Sequence, residues 1–206
     1  SGLLLGPIFE SATHGYDTLD HMHIDVRLGG DAAFDRLITA CRDMGLQVIL
    51  DGVFNHVSRN HPAVQASLDE AAGRLDPADN PWHGLVRTHV GDNGEPTLDV
   101  FEGHDDLVAL DHSSDKTVDY VARVMNYWLD RGAAGWRLDA AYAVPSAFWA
   151  RVLPQVKATH PDSWVFGEVI HGDYPRIVEE STMDSVTQYE LWKSIQHALE
   201  TENFFE

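Results

Sequence analysis

Leu46-Gln-Val-Ile-Leu-Asp-Gly-Val-Phe-Asn-His56 is the stretch that decides the fold class. Residues 46–54 are mostly apolar without clean alternation, as expected of a strand covered on both faces in a parallel sheet. The run carries Asp51 and stops in the polar pair Asn55-His56. On its N-terminal side, Phe34, Leu37, Ile38, Cys41 and Met44 recur at helical spacing after Asp31, a suitable N-cap, and Gly45 is placed to end the turn. This predicts an amphipathic helix with Cys41 as a buried thiol. Before it, Leu3, Leu4 and Leu5 read as a short buried strand closed by Gly6-Pro7, and the His- and Asp-rich segment from Ser11 to Arg27 reads as a polar loop.

The same alternation continues downstream. Val118, Val121, Val124, Met125, Trp128 and Leu129 share one helical stripe, with Gly132 just beyond. Residues 134–139 read as a strand, 145–158 as a helix, 164–168 as a strand, 184–188 as a further strand and 191–199 as a helix. Strands alternating with helices predict an α/β fold with a parallel sheet covered on both faces. The exception is 57–112, which has four prolines, many Asp and His, and no sustained period. It is too long for an ordinary loop and reads as a small subdomain or lid.

Charge narrows the function classes. With 33 acidic against 14 basic residues, the net charge of −19 disfavours a polyphosphate partner and an anionic membrane surface. No apolar run reaches the roughly 20 residues of a membrane span, and one cysteine forms no internal disulfide. Neutral or cationic small molecules remain. Of the 12 histidines, six (His56, His61, His83, His89, His104 and His112) lie in or beside the excursion. None shows the helical spacing of a zinc pair, so loop histidines are preferred to a metal site.

Each strand run ends in polar chemistry: Asp51 and Asn55-His56, then Arg137-Leu-Asp139, then Gly167-Glu168. In parallel α/β folds the site lies at these C-terminal strand ends. Arg137 and Asp139, two apart in a strand, share a face, while Trp136 and Leu138 point the other way. A guanidinium beside Asp139 is expected to lower its pKa and keep that carboxyl ionised. Glu168, on the same strand face as Trp164 and Phe166, is expected in a less polar setting that favours the neutral acid. One ionised and one protonated carboxyl form the pair that glycosidic-bond cleavage needs.

These residues carry a family resemblance. Asp51-Gly-Val-Phe-Asn-His56, Gly135-Trp-Arg-Leu-Asp-Ala-Ala141 and Phe166-Gly-Glu-Val169 resemble the first three short blocks of the α-amylase family of glycoside hydrolases. Gly6-Pro-Ile-Phe-Glu-Ser11 and His14-Gly-Tyr-Asp17 are similar to its second-strand segment and following loop. The resemblance implies Asp139 as nucleophile and Glu168 as general acid/base. It implies Arg137, His56, His14, Tyr16 and Asp17 as substrate-binding residues, with Tyr16 as a stacking floor and Asp17 similar to a residue that holds the terminal sugar in exo-acting α-glucosidases. Asp51 is given a structural role.

The implied fold is a partial TIM (β/α)8 barrel covering roughly strands 2–6. Residues 1–56 would hold strands 2–3, 57–112 an inserted lid after strand 3, and 113–206 strands 4–6 with their helices. A complete barrel takes about 250 residues, and about 150 remain here outside the excursion, enough for about five of eight units. The implied activity is retaining hydrolysis or transglycosylation of α-glucans or short α-glucosides, with no required cofactor. The isolated chain is expected to be inactive, because the family's fourth block, a His-Asp pair, is missing. Tyr142-Ala143 stands where the family often has Lys-His, and Ala109 where a calcium-binding Asp is common, so a Ca2+ ion involving Asn55 is not assumed. The alternative is a non-catalytic carbohydrate-binding or scaffold protein that keeps the fold; the presence of both carboxylates argues against it. The compartment stays open between the cytoplasm, which is favoured, and export by a signal sequence upstream of Ser1.

Overall fold

The computed structural model describes residues 1–91 and 94–203; the last three residues of the expected final unit, 204–206, lie outside the described residues. The chain runs through β1 (Gly2–Leu4), β2 (Phe9–Ser11), β3 (Thr18–Ile24), α1 (Gly30–Asp43), β4 (Gln47–Gly52) and β5 (His56–Ser58). It continues through α2 (Pro62–Ala71), β6 (Thr88–Val90), β7 (Pro96–Leu98), β8 (Val100–Phe101), β9 (His104–Ala109) and α3 (Asp115–Asp130). The remainder comprises β10 (Gly135–Leu138), α4 (Ser146–Thr159), β11 (Trp164–Gly167), α5 (Tyr174–Ser181), β12 (Ser185–Val186) and α6 (Tyr189–Thr201).

One sheet positions the site. Its order is β1-β4-β10-β11-β12 and every pairing in it is parallel, which makes this an α/β fold. The register sets Arg137 opposite Asp51 on one side and Phe166 on the other. β4 is buried from Val48 to Gly52, as its unbroken apolar run requires. Trp136 and Leu138 are fully buried, and α1 and α3 supply the cover through Phe34, Ile38, Cys41, Val121, Met125 and Trp128. Phe34 meets Trp128 edge-on at 5.0 Å, and Phe54 packs against Trp136 at 5.6 Å. Among the described residues no helix is long and apolar enough to cross a membrane.

Several expectations are corrected. β1 exists but is not buried: it pairs only with β4 at the sheet edge, leaving Leu3 and Leu4 40% and 55% exposed. The segment read as a polar loop contains β3, which pairs antiparallel with β2 just before it, and opens into a 3-10 turn, Val26–Leu28. Its polar residues are used internally. His21 is fully buried between the Val53 carbonyl and the Tyr120 hydroxyl, and Trp128 Nε1 donates to the His21 carbonyl at 2.7 Å. Gly29, with φ of 100°, precedes α1 in place of Asp31, whose carboxylate accepts the Ile24 N–H. Met44 lies just past the end of α1 and is 73% exposed rather than buried.

The excursion is more ordered than its composition suggests. His61 caps α2 by accepting the Ala63 N–H, with Pro62 opening the helix. β5, β9 and β8 form an antiparallel sheet and β6–β7 a hairpin.

A Cβ at Gly135 would run into the Trp164 carbonyl of the neighbouring strand, which is backbone and cannot swing aside. Gly135→Ala is therefore expected to destabilise the fold by about 1–3 kcal/mol, read as a lower urea-unfolding midpoint. An unchanged midpoint would contradict this account of the β10–β11 contact.

Candidate active site

Three strand ends converge on one guanidinium. Arg137 Nη1 donates to both oxygens of Asp51, at 2.7 and 2.9 Å, and to Asp139 Oδ1 at 2.8 Å; Nη2 pairs with Glu168 Oε1 at 2.8 Å. The ladder continues past the strands, with Asp139 N–H donating to the Gly52 carbonyl and Glu168 N–H to the Leu138 carbonyl. This fixes both acidic residues at the C-terminal edge. Ala140 follows in a left-handed conformation, φ 46°, a strained choice for a residue with a Cβ. Its N–H donates to Glu168 Oε2 at 3.0 Å. Tyr189, at the start of α6, donates its hydroxyl to Oε1 at 3.2 Å.

One guanidinium beside three carboxylates leaves an excess of negative charge in a mostly buried space. Burial raises the pKa of Asp139, Arg137 opposes it, and Asp51 and Glu168 add to the rise; the net result is about 6. The expectation that Arg137 would hold this carboxyl low is thus corrected, because desolvation and like charge outweigh one cation. At pH 7 Asp139 is still mostly ionised. Burial likewise raises Asp51 against the pull of Arg137. Burial works against the Arg137 charge, but its hydrogen bond to Asp51 and the surrounding carboxylates outweigh that and raise its pKa. The expected apolar setting of Glu168 is also corrected. Trp164 is 48% exposed and stacks on Phe166 at 4.7 Å, while the Glu168 carboxyl sits among Arg137, the Ala140 N–H and Tyr189.

The remaining expected residues fall in two groups. Tyr16 reaches the cluster, its hydroxyl 3.5 Å from Asp51 Oδ2. His56 is buried with Nε2 on the Tyr16 carbonyl at 3.1 Å and Nδ1 on the Asn55 side-chain amide at 3.0 Å. Burial pushes its pKa down to about 4, so it is neutral, and its ring stacks on Phe101 at 4.7 Å. His14 is exposed and accepts the Tyr16 N–H. Asp17 is not brought to the cluster: its buried carboxylate accepts the Thr13 hydroxyl at 2.7 Å and the His14 N–H at 3.1 Å. Arg27 ties this loop down, donating to the Thr13 and Ser11 carbonyls and to Asp25.

At Asn55 the side-chain nitrogen pairs with His56 Nδ1 and leaves the amide oxygen as the atom that would face a calcium ion; Ala109 offers no carboxylate, and among the described residues no group of three or more His, Cys, Asp or Glu is arranged to hold a metal.

Sequence reasoning missed Tyr189, Phe101 and Glu102. Glu102 Oε1 accepts the Tyr142 hydroxyl at 2.9 Å, and Tyr142 N–H donates to the Glu168 carbonyl, so the β8–β9 turn is tied beside Glu168. Burial, then Glu102, pushes the Tyr142 phenol up to about 12. The strand-end rule applied to β12 would have picked out Tyr189. Nothing periodic marked Phe101 or Glu102.

A family model described as "Alpha amylase, catalytic domain" matches residues 1–204. The maltogenic alpha-amylase of Bacillus acidopullulyticus is 30% identical over 94% of this chain and 33% of its own length. A cyclomaltodextrinase of Thermoanaerobacter pseudethanolicus is 31% identical over 92% of this chain and 33% of its own. Among solved structures, the cyclic alpha-maltosyl-(1→6)-maltose hydrolase of Arthrobacter globiformis superposes with a TM-score of 0.81 at 27% identity, covering 94% of this chain and 43% of that one. The chain spans about a third of the length of the curated relatives it matches.

The raised Asp139 pKa has a consequence for stability. The folded state holds this proton more tightly than the unfolded chain, whose Asp titrates near 3.9. The stability so contributed is complete below about pH 4 and is lost as pH rises through about 6. Asp139→Asn is expected to remove that dependence, gaining about 1–3 kcal/mol on the unmodified chain between pH 4 and 7. Urea unfolding at both pH values checks this; a difference that does not change with pH contradicts it.

Proposed function

The chain belongs to the α-amylase family, and on that premise we propose that the whole protein is a retaining α-glucoside hydrolase or transglycosylase acting on α-glucans or short α-glucosides. The observation that carries this reading is the seating of Asp139 and Glu168, from the ends of adjacent strands, on one guanidinium. Asp139, mostly ionised at neutral pH, attacks the anomeric carbon and forms a covalent glycosyl-enzyme ester. Glu168 gives its proton to the departing glycosidic oxygen, and then takes one from the water or acceptor sugar that releases the ester.

Arg137 fixes the nucleophile, and Asp51 anchors Arg137. Tyr16 presents an aromatic face to the apolar side of the pyranose, with His14 and His56 near its hydroxyls. Asp17 serves by shaping the loop that carries Tyr16. The same reading takes the five parallel strands as strands 2–6 of a (β/α)8 barrel. It divides the chain at 1–56, 57–112 and 113–206, with 57–112 as a lid. Support for the lid comes from its two ties to the strand ends, Phe101 on His56 and Glu102 on Tyr142. Relatives named as a maltogenic alpha-amylase and a cyclomaltodextrinase support α-linked glucose oligosaccharides as the substrate class.

Asp139→Asn in the whole protein is expected to lower turnover of an aryl α-glucoside about a thousandfold or more; retained activity removes Asp139 from its role. Residues 1–206 expressed alone are expected to leave maltose intact, since the family's third catalytic carboxylate is not among them. Turnover at an ordinary enzyme rate contradicts that expectation.

A further inference from the structure

Tyr189 stands outside every motif read in the sequence, yet its hydroxyl contacts the same Glu168 oxygen, Oε1, that Arg137 holds. Three groups thus surround this carboxyl: Arg137 at 2.8 Å, Tyr189 at 3.2 Å, and the Ala140 N–H on Oε2 at 3.0 Å. They differ in one respect that matters for an acid/base. A guanidinium and a backbone N–H only donate, whereas a phenol both donates and accepts. Double displacement requires Glu168 to be protonated when the leaving group departs and ionised when the incoming water is activated. Arg137 and Ala140 serve the ionised carboxylate, and neither accepts a hydrogen from the protonated one.

We propose that Tyr189 is a positioning residue that holds the Glu168 carboxyl in both of its protonation states, donating to the carboxylate and accepting from the acid until that proton turns to the leaving-group oxygen. This rests on the reading of Glu168 as the acid/base. The proton passes from Glu168 to the leaving oxygen and is replaced from water or the acceptor sugar, while Tyr189 keeps its own. Burial, reinforced by the nearby Glu168 charge, raises the phenol pKa, so the hydroxyl stays protonated at working pH. Tyr189 is half-buried, and Tyr189→Phe keeps its ring while removing the contact.

The test compares two substrates in the whole protein. Maltose has a poor leaving group that needs a proton; α-glucosyl fluoride has a good one that needs it far less. Tyr189→Phe is expected to lower the maltose-to-fluoride ratio of kcat/KM about tenfold, a fraction of what a general acid supplies. Activity on the fluoride reports that the variant is folded. Equal losses on both substrates, or no loss on either, would overturn the proposal. Glu168→Gln run in parallel separates the two failures. If it discriminates between the substrates and Tyr189→Phe does not, the role of Tyr189 alone falls; if Glu168→Gln does not discriminate, the acid/base reading falls and the Tyr189 role with it.

Discussion

A single half-buried guanidinium shared by three carboxylates is the constraint on which the rest of this structure depends. Arg137 meets Asp51, Asp139 and Glu168 at 2.7–2.9 Å, and each acid arrives from a different strand end or from just beyond one. Such a cluster is a poor source of net stability, since desolvating charges costs about as much as their pairing returns, while breaking it by losing one partner is costly. Its value is geometric. β4, β10 and β11 must lie in one register for the four groups to meet, and glycines allow the close approach. Gly135 lets β10 sit against the Trp164 carbonyl, and at Gly167 a Cβ would strike Met183 and Ala141.

The charge imbalance also sets the chemistry. One cation cannot neutralise three anions, two of them buried, so Asp139 is raised to about 6 rather than lowered, and the proposed nucleophile works only modestly above its own titration. The excursion adds to the same edge. Phe101 lies on His56, which in turn holds the loop of Tyr16 through its carbonyl, and Glu102 reaches Tyr142 beside Glu168. The segment with the least periodic sequence is therefore attached at two points to the most constrained part of the sheet.

The sheet and its covering helices were legible because each buries one continuous surface. The apolar run of β4 and the stripe on α3 leave few alternatives, and the shared face of Arg137 and Asp139 follows from strand geometry alone. What escaped was polar or environmental. β3 reads as part of a loop because its buried positions include Thr18 and His21, whose burial depends on tertiary partners. α2 is weakly patterned, and α5, though amphipathic, is only eight residues long. The titration of Asp139 and the setting of Glu168 turn on groups far away in sequence: Asp51 lies 86 residues from Arg137, and Tyr189 lies 21 from Glu168. Local spacing does not encode such distances.

The central claim is that Asp139 forms the covalent bond to the sugar. Incubating the whole protein with 5-fluoro-α-glucosyl fluoride, which slows release of the ester, followed by proteolysis and mass spectrometry, tests it directly. The account predicts one fluoroglucosyl adduct on the peptide that contains Asp139. An adduct on Glu168, or none on this chain while ordinary α-glucosides are still turned over, would contradict it.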